Sequence, residues 1–313
     1  MEIIDLFLKA GCGAELQMRM TEFSATTQGI FWMLAQTVSM CGMMACVRQL
    51  SFEGFEGPQL VFFRAAAGLI FLAPWLIQTV YREPKTLVPS EWRYLLLRGG
   101  IGLLGVLGWF IALTGLTISD VVAIQFTHPL FVVIGAAIVL GERVDARRWA
   151  ALAIGFGGAL IVIRPGVIPF EPLILCVLIS AVSNAAVQLM TKHFSLRVSG
   201  SVMIFYMNAV MACGALVISW SSWVWPDWSH MVWILAMGAL GTVAHIFLAR
   251  GMTFADASIL GPIDFLRLPI ASALGWVLFG EVSDLWVWLG ATVILSAIIM
   301  ISKREVQDFR RDT

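Results

Sequence analysis

Charge is what this chain has least of. Only 13% of its 313 residues are Asp, Glu, Lys or Arg, whereas 59% are hydrophobic. A water-soluble domain carries about 25% charged residues. So few polar groups cannot clothe a surface of this size, so its surroundings are lipid. The formal net charge is zero, and no basic run is interleaved with aromatics. Nucleic acid therefore has no electrostatic footprint to bind. Cysteine is sparse too: Cys12, Cys41, Cys46, Cys176 and Cys213, none in a C-x-x-C pair. They read as reduced packing residues, which leaves no disulfide framework and no zinc site. H-E-x-x-H, G-x-S-x-G, a P-loop and an Asp-rich cluster are all missing, so no catalytic residue, metal or cofactor is expected. Met1–Thr27 carries four acidic residues and lacks a signal-peptide pattern. It is expected to be a cytoplasmic extension, or to precede a usual start at Met18 or Met20.

What is present is apolar sequence in long runs. Ten can be drawn, near 28–49, 58–80, 93–113, 120–140, 147–163, 171–191, 200–221, 230–249, 257–279 and 285–302. Each is close to the ~17–25 residues of a spanning helix. Alternating strands are not seen, and lipid admits only helices or closed barrels. With the N-terminus inside, the inner segments collect Lys9, Arg19, Arg82, Lys85, Arg93, Arg143, Arg147, Arg148, Lys192, Arg197, Arg250, Lys303, Arg304, Arg310 and Arg311. The outer segments hold only Arg164. This asymmetry predicts that both termini are cytoplasmic.

The chain also says one thing twice. Gly115, Thr117 and Asp120 recur as Gly251, Thr253 and Asp256, a shift of 136. Gly141, Glu142, Asp145 and Trp149 recur as Gly280, Glu281, Asp284 and Trp288, a shift of 139. An odd number of spans per half inserts the halves upside down relative to each other. The turn Gly141–Arg148 is rich in arginine, whereas Gly280–Asp284 has none, as opposite sides of a membrane require. The expected fold is an all-α integral membrane protein of ten transmembrane helices in two inverted five-helix repeats. They occupy 28–165 and 166–303, between an extension at 1–27 and a tail at 304–313. The paired Pro129…Gly141-Glu142 and Pro269…Gly280-Glu281 spacings, Trp149 and Trp288, and the glycine-rich run ending Ile163-Arg164-Pro165-Gly166 resemble the EamA family of the drug/metabolite transporter superfamily. The likeness covers about residues 28–303. It implies a central cavity between the halves and transport of small metabolites, without naming a substrate.

Gly100-Ile101-Gly102-Leu103-Leu104-Gly105 matches G-x-G-x-x-G. It lies in an apolar span rather than after a strand, so close helix packing is the better reading. Ionisable residues inside spans carry more information, because each must face a cavity or a partner. Arg64 lies in the second run. Arg267 lies in the ninth, three residues after Asp264 and so on the same helix face. Each arginine reads either as half of an ion pair or as a cation awaiting a carboxylate or phosphate. Asp264 reads either as the neutralising partner of Arg267 or as a proton acceptor. Pro262 and Pro269 predict irregular backbone around it. His128 and His245 are candidates for proton or solute contact. Gln36, Gln125, Asn184, Gln188 and Asn208 add amides that packing alone does not require. Arg98 is expected to snorkel at the inner interface. Asp120, Asp256, Glu142 and Glu281 are expected to cap helix starts, and Trp220, Trp223, Trp225 and Trp228 to form an interfacial belt.

The expected function is a secondary transporter of the inner or plasma membrane, moving a small organic solute by alternating access. An amino acid or related zwitterion is the favoured guess, with a coupling proton as a further partner. A broad exporter of amphiphiles in the same fold, and a scaffold or sensor that transports nothing, are the alternatives. Oligomeric state is not encoded in any feature found.

Overall fold

The computed structural model describes residues 25–82, 87, 89–139, 146–164, 171–194, 197–254 and 263–312. Among these residues the only regular structure is helical. The elements are α1 (Ala25–Phe52), α2 (Gly57–Arg82), α3 (Trp92–Gly115), α4 (Ile118–Gln125), α5 (His128–Val139) and α6 (Ala146–Ile163). They continue with α7 (Leu173–Phe194), α8 (Gly200–Ser219), α9 (Trp228–Phe254), α10 (Arg267–Phe279) and α11 (Leu285–Asp312). Seven stretches are long and apolar enough to cross a membrane: Thr27–Phe52, Gly57–Tyr81, Trp92–Gly115, Ile118–Ile138, Leu173–Thr191, Gly200–Ser222 and Trp228–Phe254. Leu152–Ile163, Arg267–Phe279 and Leu285–Ala297 are shorter apolar helices. The N-terminal extension, the turn holding Glu142, Asp256 and the Gly261-Pro262 pair lie outside the described residues.

Lipid gives little hydrophobic drive for helices to associate, so small residues that admit close contact decide the packing. Two places show this. A Cβ on Gly108 of α3 would stand 2.4 Å from the carbonyl oxygen of Cys176 on α7. Gly158 of α6 and Gly290 of α11 face each other, and a Cβ on either would stand within 2.8 Å of the other's carbonyl oxygen. These contacts set α3 along α7 and α6 along α11. Other pairings are α1 with α9, α2 with α8, α3 with α8, α2 with α9, α5 with α7, α1 with α10 and α4 with α10.

The span formed by α4 and α5 breaks at Phe126–Thr127. Ile263 and Asp264 are helical, and the chain turns at Phe265–Leu266 before α10. The breaks are 139 residues apart and alike in detail. The Thr127 N–H donates to the Ile124 carbonyl, as the Leu266 N–H does to that of Ile263 (both 3.0 Å). Pro129 and Pro269, just beyond, withhold the N–H groups that a continuous helix would use. The irregularity expected for the ninth run is thus present, and the fourth shares it.

Buried apolar mass is uneven along the bundle. The largest core gathers the ends of α1 and α3, the start of α4 and parts of α10 and α11, including Met43, Met44, Leu50, Phe110, Leu113, Ile118 and Ile294. Small cores centred on Leu95 and Val202, and on Leu130 and Leu152, occupy the opposite end. At the well-packed end Gln59, fully buried, exchanges two hydrogen bonds with the Val224 backbone. Trp220, Trp225 and Trp228 are exposed there, as expected of a belt. Trp223 instead turns inward between Phe62 and Phe63, with centroids 5.4 and 5.6 Å away.

Three sequence expectations are corrected. Arg98 does not reach for an interface. It is buried, donating to Thr191 Oγ1 at 3.0 Å and the Met203 carbonyl at 3.4 Å. Its stem faces α7 and α8, where protein acceptors replace water. The cap of α4 is Thr117, whose Oγ1 accepts the Asp120 N–H at 3.2 Å and donates to Asp120 Oδ2 at 2.7 Å, so Asp120 is the far corner of a reciprocal cap. Glu281 does not cap the helix that follows it. Asp284 does, accepting the Trp286 N–H at 3.3 Å.

Candidate functional site

Arg64 and His245 meet across α2 and α9. Arg64 follows Leu60 and Val61 by one helical turn, on the face those buried residues share. His245 continues the buried stripe Ile234, Gly238 and Gly241 of α9. The Arg64 Nη2–His245 Nε2 distance is 3.2 Å. Arg64 is half-buried and His245 exposed, although both lie on faces of their helices that carry buried neighbours. Gly241 makes room for the pair, since its Cβ position lies 2.8 Å from Met43 Sδ and 3.6 Å from Arg64 Nε. Arg64 has no carboxylate partner among the described residues. A guanidinium only donates, so His245 Nε2 accepts and the ring is neutral, its proton on Nδ1.

Arg267 is arranged differently. It is paired with Asp264, one turn before it across the break. Its Nε finds no acceptor among the described residues, and Gln125 Oε1 finds no donor. Its backbone carbonyl receives the Cys41 Sγ at 3.6 Å. The His128 ring lies against the Asn184 backbone, within electrostatic range of Arg267 and Asp264, and His245 feels both arginines. Between the two breaks, Phe126 and Phe265 lie ring to ring, with centroids 4.2 Å apart and planes 35° apart. They are a further repeat-related pair, 139 residues apart.

The amides divide. Asn184 donates to Ser180 Oγ at 3.2 Å, and its Oδ1 lies 3.1 Å from the Cβ position of Gly105. Asn208 donates to the Ile204 carbonyl at 3.1 Å and packs on Gly68. Gln188 is exposed, one turn beyond Asn184 on α7. Gln36 is 4% exposed and receives the Thr37 hydroxyl at 3.3 Å, so in this conformation it is enclosed. The structure thus brings Arg64 to His245, Asp264 to Arg267 and His128 to Asn184, around the helix breaks. The signal for the Phe126–Phe265 pair in the sequence is their shared shift of 139, the same that relates the Gly-Glu turns.

A second polar cluster bars the well-packed end. Arg48 Nε is 2.8 Å from Glu281 Oε1, with side chains 11% and 10% exposed. Arg48 Nη1 also donates to the Leu113 carbonyl at 3.2 Å. Glu281 Oε2 accepts the Ile118 N–H at 2.9 Å, where the positive end of the α4 dipole favours a carboxylate. One carboxylate thus holds α1 and α4 to the turn after α10. Beside it, Arg164 Nη2 lies 2.5 Å from Asp284 Oδ2. The Trp286 N–H and the Arg164 guanidinium hold the Asp284 carboxyl below the usual carboxylate range.

The model of the EamA-like transporter family matches residues 27–164 and again residues 172–303. A riboflavin transporter of Rhizobium johnstonii is 30% identical, over 93% of this chain and 96% of its own length. An S-adenosylmethionine uptake transporter of Rickettsia prowazekii is 28% identical, over 87% of this chain and 92% of its own. A protein of known crystal structure superposes with a TM-score of 0.59 at 18% identity, covering 90% of this chain and 98% of its own, a likeness of fold. The family and these relatives are transporters, not enzymes.

Proposed function

The chain belongs to the EamA-like transporter family, and from that premise we propose that it is a secondary transporter working by alternating access. It moves a small organic solute that presents an anionic or carbonyl-rich edge to Arg64. The observation that carries this is the Arg64 guanidinium itself: half-buried inside a span and in contact with a histidine ring, with no carboxylate partner among the described residues. Arg267 has its charge met by Asp264; Arg64 has an open valence for a solute.

The architecture of this reading is ten spans in two inverted halves, 28–165 and 166–303, with both termini cytoplasmic. Three things support it. The family model fits twice. Exchanging each span for the one five later turns α1·α9 into α3·α7, α3·α8 into α2·α9 and α5·α7 into α1·α10, and all six pairings occur. Among the described residues, Arg82, Arg93, Arg197 and Arg250 stand at the helix ends opposite Glu281. Two pairings of fully described helices lack their counterparts: α2 and α1 each pack on α3, but α8 on α9 and α7 on α9 show no comparable packing. On this reading the conformation is sealed outside by the Arg48–Glu281 cluster and open to the cytoplasm.

The relatives' names lend no support to an amino acid. They offer riboflavin and S-adenosylmethionine instead. Riboflavin has a planar, carbonyl-edged ring that suits Arg64 and the Phe126–Phe265 pair. The sulfonium of S-adenosylmethionine meets Arg64 as a like charge. The test is binding and flux of both compounds in reconstituted vesicles. Riboflavin uptake that disappears in Arg64→Ala supports the reading. Flux of either compound that survives Arg64→Ala together with Arg267→Ala sinks it.

A further inference from the structure

We propose that the Arg64–His245 pair takes up an anionic group and a proton together, with His245 as the proton's carrier. The proposal rests on the reading of Arg64 as a solute contact and adds a coupling partner to it. In the empty site His245 Nε2 is the acceptor that satisfies Arg64 Nη2, at 3.2 Å. A carboxylate or phosphate entering the guanidinium fork takes over that N–H. The imidazole then has a lone pair facing the lone pairs of the anion. Acquiring a proton at Nε2 converts this repulsion into a charge-assisted hydrogen bond. One proton comes from water, none leaves the solute, and the net charge of the pair plus its occupant is +1 before and after. An anion therefore enters the low-dielectric centre without changing the charge there.

The surroundings leave this role to His245. From α2 it faces Arg64, and from the α10 side it feels Arg267, whose charge Asp264 meets. On α1, which runs along α9, the Cys41 thiol is turned to the Arg267 carbonyl. Asp264 is engaged in its ion pair and Asp120 in the α4 cap. A carboxylate able to serve instead is not found at this depth among the described residues. His128 lies against the Asn184 backbone, within electrostatic range of Arg267 and Asp264.

The test uses the full chain in detergent, with benzoate as the anionic probe and benzamide as its neutral counterpart. Binding is followed by titration calorimetry in buffers of different ionisation enthalpy, which counts protons. Wild type is expected to take up one proton per benzoate and none per benzamide, its benzoate affinity falling about tenfold per pH unit where His245 is neutral. His245→Gln keeps a hydrogen-bonding side chain and should still bind benzoate, with no proton uptake and a flat pH profile. Binding without proton uptake in wild type means that a mere tautomer exchange suffices, and overturns the proposal. So does proton uptake that persists in His245→Gln. Benzoate that fails to bind overturns this inference alone, whereas benzoate that binds equally to Arg64→Ala overturns the Arg64 reading and this inference with it.

Discussion

Replacing Glu281 by Gln should open the sealed end of the bundle. The carboxylate makes two contacts that the amide cannot reproduce together: the ion pair with Arg48 and acceptance of the Ile118 N–H at 2.9 Å. Removing one partner of a buried ion pair costs about 3–5 kcal/mol, mostly because the survivor stays buried and uncompensated. Arg48 can escape that penalty by meeting water, and this requires α1 to part from α4 and the α10–α11 turn. The penalty therefore falls mainly on the sealed conformation. With side chains 11% and 10% exposed, only a small part is screened already. A shift of about 2–3 kcal/mol toward the open form is reasonable, which is about 30- to 150-fold in population.

Two native cysteines report on this. Cys41 and Cys46 of α1 are buried, 0% and 4% exposed, beneath the cluster. With Cys12, Cys176 and Cys213 replaced by Ser, a membrane-impermeant maleimide added from the Arg48 side should label wild type slowly and Glu281→Gln many-fold faster. Exchanging the pair, Arg48→Glu with Glu281→Arg, restores opposite charges but leaves the Ile118 N–H and the Leu113 carbonyl with the wrong partners. It should rescue only in part. Equal labelling of wild type and Glu281→Gln, in protein of unchanged helicity and solute affinity, refutes the claim that this cluster holds the end shut.

Other outcomes follow from the same coordinates. Gly108→Ala forces a methyl to within 2.4 Å of the Cys176 carbonyl and should destabilise by about 1–3 kcal/mol. Gly100→Ala meets nothing within 4 Å and should leave the melting temperature in detergent unchanged. Phe265→Leu keeps apolar bulk but removes a face from the half-buried ring. On the proposed riboflavin reading, affinity for that compound should fall about two- to tenfold, the scale of one aromatic contact, read by quenching of flavin fluorescence. Asp284 has its carboxyl held low by the Trp286 N–H and then Arg164. Its contribution is complete at neutral pH and is lost as pH falls through the depressed folded value, below the usual carboxylate range. Thermal melts of Asp284→Asn against pH should therefore converge with wild type only on that acid side.

Much of the bundle was legible because its determinants are local. Apolar length marks the spans, and Pro129 and Pro269 mark where backbone donors are missing. Pair choice was not. Arg64 and Arg267 look equivalent as letters in apolar runs, yet one lies a turn from Asp264 and the other reaches a histidine 181 positions away. Glu281 was read by its neighbours in sequence as a cap for the next helix, whereas an N–H 163 positions earlier claims it. Residue type places Gln36 with the amides Gln125, Asn184, Gln188 and Asn208, whereas its side chain is enclosed on α1. Sequence spacing tells which side chains share a face; it does not tell which face meets which helix. The repeat narrows that gap where its copies agree, as at the paired breaks and the Phe126–Phe265 contact. Where the copies differ, His128 stands in one and Arg267 in the other, and Gln125 stands opposite Asp264. A fold that must present one cavity to two sides gains from matching halves. A solute that must be recognised needs unlike groups around it, so on the proposed reading selectivity is to be sought at the mismatched positions at the breaks and at the Arg64–His245 contact.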